Sequence, residues 1–286
     1  MGENFLSGLL RENKGVKKVL KLGLLGMSLK HSLSKSIFDC LGMEYINFSV
    51  KPEEVKEFFR FALDRLDGFN ITVPYKLKPF EFPDLFEFSD EAKVIGAVNT
   101  VLVKDGKLHA FNTDHIGFIT PIKGRQFRKA LLFGAGGAAR AVIYSLKSIP
   151  VFVYNRTHRK AFELSRLFPN VVPVRDPGEI LENVDIVVNA TSLGLEGEPF
   201  YLLDRWRGSS FRGKLFYDLI YNPPITDFLK IGRDGGADIL NGFPMLVFQA
   251  TENIKIWMEK DLTKEVIECS KSLLPASLME GFSWEF

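Results

Sequence analysis

Short apolar runs alternate with amphipathic stretches along most of the chain. In the N-terminal third, such runs predict strands at 21–25, 45–50 and 69–72. Between the last two, apolar residues recur at helical spacing over 55–66 and predict an amphipathic helix. This order of strand, helix and strand predicts a parallel sheet, and ligands of such sheets bind where the strands end.

The pattern then changes and starts again. Asp105 and Gly106 separate two apolar runs and predict a hairpin turn, and residues 116–127 read as a linker. Beyond the linker, apolar runs predict six strands, near Leu131, Val151, Val171, Ile186, Leu215 and Ile239. Helices are expected over 244–257 and 266–274, and we expect them to pack back on the N-terminal part. The whole pattern predicts an α/β protein in which a first α/β domain is followed by a doubly wound domain of Rossmann type.

Composition narrows the class of protein. The 286 residues are 46% hydrophobic and 25% charged with a formal net charge of +2, and the cations are scattered among acids, so nucleic acid is not an expected partner. Cys40 and Cys269 are far apart and outside any metal-ligand spacing, which predicts neither a disulfide framework nor a zinc site and favours a reducing compartment. The leader 1–18 lacks a signal-peptide core, and no apolar run is long enough to span a bilayer. We therefore expect a cytoplasmic protein with no membrane partner and no bound metal, either a monomer or a homodimer.

The strand expected near Leu131 runs into a glycine-rich turn and then into small helix-forming residues. Gly134, Gly136 and Gly137 permit a tight turn and the approach of a pyrophosphate to free N–H groups at a helix start. Ala139 stands where the G-x-G-x-x-G/A fingerprint has its last small residue. The alternative is a buried strand followed by a flexible turn.

The end of the next strand bears on the choice of dinucleotide. Asn155, Arg156 and Thr157 occupy the region where a site for NAD usually has a carboxylate. Arg156, with Arg159 or Lys160 one helical turn on, suits a 2′-phosphate and predicts NADP. Alternatively, these charges form the solvated face of a helix that starts near Thr157.

Polar residues also follow the predicted strands of the N-terminal half. Ser32 and Ser34, next to His31, suit a carboxylate or form a plain helix cap. Asn99 stands among apolar residues and either binds a hydroxyl or caps a turn.

Lys76 needs a lowered pKa or a carboxylate partner to act as an acid or a base. Asp114 follows another predicted strand and is the natural partner. Together they could take a proton from an alcohol while hydride leaves the same carbon. A surface ion pair, or two unrelated charges, is the alternative.

In their order along the chain, these motifs resemble those of the shikimate dehydrogenase family. The resemblance covers about residues 22–259 and rests on GxxxxHSxS from Gly26, NITVPxK from Asn70, GAVNT from Gly96, NTD from Asn112, GAGGAAR from Gly134, NRT from Asn155, NATSxG from Asn189, DxxYxP from Asp218 and GxxMLxxQ from Gly242. It implies NADP as the cofactor and the reversible reduction of 3-dehydroshikimate to shikimate, on the pathway to aromatic amino acids. It also implies that residues 1–116 with 245–286 form a substrate-binding catalytic domain and residues 117–244 an NADP-binding domain.

The resemblance further implies roles for single residues. Lys76 and Asp114 match the catalytic pair, with Lys76 relaying the proton. The implied substrate ligands are Ser32, Ser34 and Tyr221 for the carboxylate and Thr72, Asn99 and Gln249 for the hydroxyl side. The implied cofactor ligands are Gly134, Ala135, Gly136, Gly137 and Ala138 for the pyrophosphate, Asn155, Arg156, Thr157 and Lys160 for the 2′-phosphate, and Thr191, Ser192, Gly242 and Met245 for the nicotinamide end. Arg140 either reaches a phosphate or is a surface charge.

Two other functions stay open at this point. A quinate/shikimate dehydrogenase with broader substrate or NAD use would be favoured by an acidic residue at 155 or 156, and none is there. A non-catalytic dinucleotide-binding regulatory module would be expected to lack Lys76 and Asp114, and both are present. Ser28, Lys35 and Pro244 depart from the family pattern, from which we expect altered affinity and the same reaction.

Overall fold

The computed structural model describes residues 20–30 and 32–273, so the leader, His31 and the C-terminal tail lie outside the described residues. The strands are β1 (Lys21–Gly26), β2 (Glu44–Ser49), β3 (Gly68–Ile71), β4 (Phe86–Phe88), β5 (Thr100–Lys104), β6 (Lys107–Phe111), β7 (Ala130–Phe133), β8 (Val151–Tyr154), β9 (Val171–Pro173), β10 (Ile186–Asn189), β11 (Leu215–Asp218) and β12 (Asp238–Leu240). The helices are α1 (Ser34–Cys40), α2 (Val55–Arg65), α3 (Asp90–Ile95), α4 (Asp114–Ile119), α5 (Gly137–Ser145), α6 (His158–Leu167), α7 (Gly178–Leu181), α8 (Asp227–Asp234), α9 (Phe243–Met258) and α10 (Thr263–Lys271). Short 3-10 turns lie at Pro52–Glu54, Lys78–Glu81, Thr120–Ile122 and Tyr201–Trp206.

The first sheet is mixed, with strand order β2-β1-β3-β5-β6-β4. Its first three strands are parallel, as predicted, whereas β5 runs antiparallel to both β3 and β6. The predicted hairpin turn joins β5 to β6, and Asp105 and Gly106 both have left-handed φ values, 52° and 70°. The short edge strand β4 was not predicted.

The second sheet is parallel throughout, with strand order β12-β11-β10-β7-β8-β9. All six predicted strands are present. This is the doubly wound order of dinucleotide-binding domains. From β7 the strands β8 and β9 are added toward one edge of the sheet, and β10, β11 and β12 are added toward the other, so the order of strands reverses between β7 and β10. Ligands of such sheets bind at the carboxyl ends of the strands beside that reversal. The α/β fold with a Rossmann-type second half is therefore confirmed.

The C-terminal helices return to the first sheet, as predicted. Leu246, Val247 and Ile254 of α9 pack in one apolar cluster with Leu22 and Leu24 of β1. The same cluster includes α1 and α10. This packing places α9 between the two sheets, where its polar residues face the polar ends of β5 and β6.

The predicted linker at 116–127 was wrong in its first part, which is helix α4. Helix α4 is too short to show an amphipathic pattern in the sequence, and it is stabilised by packing on α9. A Cβ on Gly117 would lie 2.5 Å from the carbonyl oxygen of Met245, so glycine is needed for two helix backbones to approach closely.

The prediction that Cys40 and Cys269 form no disulfide, made because they are far apart in sequence, was also wrong. Cys40 and Cys269 form a disulfide, although 229 residues separate them in sequence. Each stands on a helix, α1 and α10, and packing of these helices side by side brings the two Cα atoms to 5.8 Å. The cysteines therefore no longer favour a reducing compartment.

Candidate active site

Lys76 and Asp114 meet beyond the ends of β3 and β6, the two strands that flank β5. Lys76 lies in the loop after β3, and Asp114 begins α4 just after β6. The Lys76 ammonium donates a hydrogen bond to Asp114 Oδ2 over 2.5 Å, with the two side chains only 13% and 7% exposed. The sequence left open a surface ion pair or two unrelated charges, and the structure instead forms one largely buried pair.

Asn99 holds Asp114 from its other side. Its Nδ2 lies 3.0 Å from Asp114 Oδ1, 2.9 Å from Thr113 Oγ1 and 3.2 Å from Gln249 Oε1. Its Oδ1 accepts a hydrogen bond from the Thr113 N–H at 2.6 Å. The amide therefore fixes one carboxylate oxygen and leaves the other to Lys76.

The serine loop and Tyr221 come together although they are far apart in sequence. The Tyr221 hydroxyl accepts a hydrogen bond from the Leu33 N–H at 3.3 Å, between Ser32 and Ser34 in the chain. Ser32 Oγ also accepts from the Ser34 N–H at 3.4 Å. Burial raises the pKa of the Tyr221 hydroxyl, so it stays protonated and available as a donor.

Thr72 follows β3 and lies against the end of β1. Its N–H donates to the Leu25 carbonyl at 2.8 Å, and its methyl group would lie 2.7 Å from a Cβ on Gly26. Thr72 thus occupies the same edge of the sheet as Lys76. Within the described residues, no hydrogen bond joins its side chain to Asn99 or to the partners of Asn99, which are Thr113, Asp114 and Gln249.

The glycine-rich turn lies between β7 and α5, as predicted. Gly134 has a left-handed φ of 110°, and a Cβ there would lie 2.9 Å from the Ala190 carbonyl oxygen. Gly136 is exposed, and apart from its own chain neighbours no atom of the described residues lies within 4 Å of the position that its Cβ would take. A bulky phosphate can therefore approach the backbone here, with Ala135 and Ala138 beside it, so the residues fit a pyrophosphate.

This turn touches the lysine of the first half. A Cβ on Gly137 would lie 2.7 Å from Lys76 Cβ, so the start of α5 packs directly on Lys76.

Arg140 lies one helical turn after Gly137 on α5. Its Nη1 is 2.5 Å from the position that a Cβ on Gly96 would take. Burial lowers the pKa of Arg140, and its Nε has no hydrogen bond in the described part of the chain. Arg140 is thus a half-buried interdomain residue and not a free surface charge.

The predicted 2′-phosphate residues stand together at the start of α6. The Asn155 side chain donates to the Thr157 carbonyl at 2.9 Å and shapes the turn. Arg156 and Lys160 are exposed, and within residues 20–30 and 32–273 their charged groups have no acidic partner, whereas Arg159 pairs with Glu163. Two unpaired cations beside a helix start fit a phosphate monoester.

The residues predicted for the nicotinamide end lie around the ends of β10 and β11. Thr191 and the exposed Ser192 follow β10. Gly242 precedes α9, and a Cβ there would lie 2.0 Å from the Leu219 carbonyl oxygen. The Met245 side chain is 7% exposed and packs in the core of the second sheet.

Comparison with known proteins agrees with this geometry. Residues 24–101 match the family model described as shikimate dehydrogenase substrate binding domain, and residues 122–195 match the model described as shikimate / quinate 5-dehydrogenase. A shikimate dehydrogenase (NADP(+)) from Aquifex aeolicus is 37% identical over 87% of this chain and 94% of its own length. The chain belongs to the shikimate dehydrogenase family.

Other members give the same result. A shikimate dehydrogenase (NADP(+)) from Caldicellulosiruptor bescii is 40% identical over 84% of this chain and 89% of its own length. The crystal structure of shikimate 5-dehydrogenase from Thermus thermophilus, in complex with NADP(H) and shikimate, superposes with a TM-score of 0.75 at 31% identity. It covers 90% of this chain and 100% of that one.

One member of the polar group in this shikimate dehydrogenase family chain was missed from the sequence. Asn253 lies one helical turn after Gln249 on α9 and is fully buried. Its Oδ1 accepts from Thr100 Oγ1 at 2.7 Å and Thr113 Oγ1 at 2.8 Å. Its Nδ2 donates to Asn70 Oδ1 and Gln249 Oε1, both at 3.2 Å. The available signal was the spacing of two amides four residues apart in a largely apolar helix.

The described ranges lack the features of two other kinds of site. None of the helices there has both the length and the apolar character needed to cross a membrane. No group of three or more His, Cys, Asp or Glu side chains in those ranges is arranged to hold a metal ion.

Proposed function

We propose that the protein is an NADP-dependent oxidoreductase that interconverts 3-dehydroshikimate and shikimate. The observation that carries this proposal is the contact of Gly137 with Lys76, because it joins the candidate pyrophosphate turn to the buried Lys76–Asp114 pair. Membership of the shikimate dehydrogenase family and the names of its relatives support it.

The chemistry follows from the two groups of that pair. When bound, NADPH supplies a hydride to the carbonyl carbon. Lys76 then donates a proton from its ammonium to the carbonyl oxygen, which becomes the hydroxyl, and in the reverse direction it takes that proton back. Asp114 orients the ammonium through the 2.5 Å hydrogen bond and balances its charge.

Two sets of side chains hold the substrate in this proposal. Ser32, Ser34 and Tyr221 donate hydrogen bonds to its carboxylate, which the contact of the Tyr221 hydroxyl with the Leu33 N–H, between the two serines, supports. Asn99, Gln249 and Thr72 bind its hydroxyl groups. Asn99 and Gln249 already touch each other at 3.2 Å, so a hydroxyl beside them finds both donors and acceptors in place.

The cofactor ligands are those implied by the motifs. The turn from Gly134 to Ala138 takes the pyrophosphate, the Asn155–Lys160 segment takes the 2′-phosphate, and Thr191, Ser192, Gly242 and Met245 line the nicotinamide end. For Met245 the support is limited to its position, because its side chain is mostly committed to the core.

We further propose that residues 1–116 with 245–286 form the substrate-binding catalytic domain and 117–244 the NADP-binding domain. Both limits fall inside helices, α4 and α9, which pack on each other. Rotation about this helix pair would close the cleft on both ligands. Tryptic cutting that is slower with both ligands bound would support closure, and unchanged cutting would oppose it.

Initial rates followed at the nicotinamide absorbance test the function. Shikimate and quinate are each assayed with NADP and with NAD. Turnover of shikimate with NADP alone is expected. Comparable rates with quinate or NAD would favour the broader quinate/shikimate dehydrogenase. No turnover by a protein that binds NADP would favour the non-catalytic module.

A further inference from the structure

Asp218 is a buried carboxylate with no role in the reaction proposed above. It ends β11 and is 0% exposed. Its Oδ1 accepts hydrogen bonds from Asn189 Nδ2 at 2.9 Å and the Ile220 N–H at 3.0 Å, and its Oδ2 accepts from Thr226 Oγ1 at 2.5 Å. No cation of the described residues pairs with it. An ionised group buried in this way is unfavourable for stability, which points to another reason for its presence.

One set of hydrogen bonds leads from Asp218 to the cofactor side. Asn189 stands opposite Asp218 in the register of β10 and β11. While its Nδ2 donates to Asp218, its Oδ1 accepts from both the N–H and the hydroxyl of Thr191, at 3.0 and 2.6 Å. Thr191 Oγ1 in turn accepts from the Leu193 N–H at 3.1 Å. Asp218 therefore fixes the amide that shapes the Thr191 loop.

A second set leads to the substrate side. The bond from the Ile220 N–H fixes the turn after β11, from which Tyr221 projects toward Leu33 and the serine loop. The Ile220 carbonyl also accepts from the Gly242 N–H at 3.0 Å, at the start of α9. Asp218 Oδ1 thus holds Ile220, which precedes Tyr221. Ile220 in turn holds Gly242, which precedes α9.

We propose that Asp218 is a positioning residue that holds the Thr191 loop and Tyr221 in one fixed relation, so that cofactor and substrate meet in reacting geometry. This inference rests on the proposed function. Its basis is that Oδ1 alone receives the bonds of both sets, 2.9 and 3.0 Å long. A charged acceptor orients two donors more strongly than an amide oxygen does.

The test compares Asp218→Asn with variants that interrupt only one set. The asparagine is nearly isosteric, keeps an oxygen toward Asn189 and Ile220, and removes the charge. Assays at about pH 8 keep the wild-type carboxylate mainly ionised, since burial raises its pKa to about 7. We expect KM to rise roughly tenfold for both NADP and shikimate in Asp218→Asn. Asn189→Ala should raise KM for NADP alone, and Tyr221→Phe should raise KM for shikimate alone.

Thr226→Val is the matched control. It removes the hydrogen bond to Oδ2 and the N-terminal cap of α8, where Thr226 Oγ1 accepts from the Leu229 N–H, but leaves the bonds of Oδ1 intact. It should lower thermal stability and leave both KM values unchanged. A change of both KM values in this control would show that any disturbance of the group suffices, and would overturn the inference.

The remaining outcomes also decide. An Asp218→Asn variant that changes neither KM, or only one of them, overturns the inference while wild-type turnover upholds the proposed function. Should the wild type fail to oxidise shikimate, the proposed function fails. The dissociation constants of NADP and of shikimate, measured by binding titration, then replace KM, and the same joint increase is required.

Discussion

The two halves of the candidate site differ in how their polar groups are paired. On the substrate side, Lys76, Asp114 and Asn99 are bonded to one another and largely buried. On the cofactor side, Arg156 and Lys160 are exposed and have no acidic partner within the described residues. The first arrangement is preorganised for chemistry, because donors and acceptors already stand where charge develops. The second leaves its charges for a ligand to neutralise, which suits recognition.

The largest expected effect comes from breaking the preorganised side. In the proposed function Lys76 is the proton donor, so for Lys76→Ala we expect kcat to fall by about 10²- to 10⁴-fold. Lys78→Ala is the control, because Lys78 is two positions away and forms only an ion pair with the partly exposed Glu81. Stopped-flow or steady-state rates, normalised to the folded fraction, measure the effect. Full turnover by Lys76→Ala would contradict the role given to this lysine.

The next effect concerns the open side. In the proposed function Arg156 binds the 2′-phosphate, so for Arg156→Ala we expect KM for NADP to rise about 10- to 100-fold while KM for NAD changes little. The control is Arg159→Ala, because Arg159 is engaged with Glu163 at 2.8 Å. Equal losses with the two dinucleotides would mean that Arg156 does not read the phosphate. Raising the ionic strength should reduce the difference between wild type and variant.

The second sheet was predictable from the sequence strand by strand. The central strands β7, β10 and β11 are buried on both faces, so each contains an apolar run, such as Ala130–Phe133 or residues 186–188. The glycine-rich turn was also predictable from the sequence, because a backbone that must stay open to a ligand favours glycine at position 136. In these regions local pattern and tertiary environment agree.

The sequence failed where distant packing determines the outcome. Helix α4 is only six residues long and owes its form to contact with α9 through Gly117. The Cys40–Cys269 disulfide depends on two helices that adjoin only in the folded chain. Asn253 was missed for the same reason, since its partners Thr100 and Thr113 lie about 140 or more residues away. The Lys76–Asp114 pair was predicted, but its burial followed only from the structure.

Two glycine substitutions compare a position where close packing needs glycine, Gly117, with one where an open backbone does, Gly136. In Gly117→Ala the new methyl group would lie 2.5 Å from the Met245 carbonyl oxygen, and we expect a loss of about 1–3 kcal/mol in the free energy of unfolding. In Gly136→Ala the methyl group meets no atom of the described residues within 4 Å beyond its chain neighbours, so stability should hold while NADP binds more weakly. Denaturant unfolding and NADP titration of both variants separate the two effects. Equal stability losses would refute the distinction.

Asp218 should produce the smallest effect, a pH dependence of stability. Burial raises its pKa to about 7 despite three hydrogen bonds. An aspartate in the unfolded chain has its ordinary, lower pKa. Between these values the folded protein binds more protons than the unfolded chain, so stability falls as the pH rises. The loss from Asp218 amounts to about 1 kcal/mol between about pH 6 and pH 7.

Asp218→Asn should abolish this loss, because an amide does not titrate. The measurement is the free energy of unfolding of both proteins at several pH values, taken as a difference. Burial lowers the pKa of His115, which gives the opposite slope, but His115 is present in both proteins and cancels. Parallel pH profiles for the two proteins would show that Asp218 does not titrate in this range. A free energy of unfolding of the wild type that falls by about 1 kcal/mol relative to that of Asp218→Asn, between about pH 6 and pH 7, would show that the interior of the cofactor half carries an ionisable group.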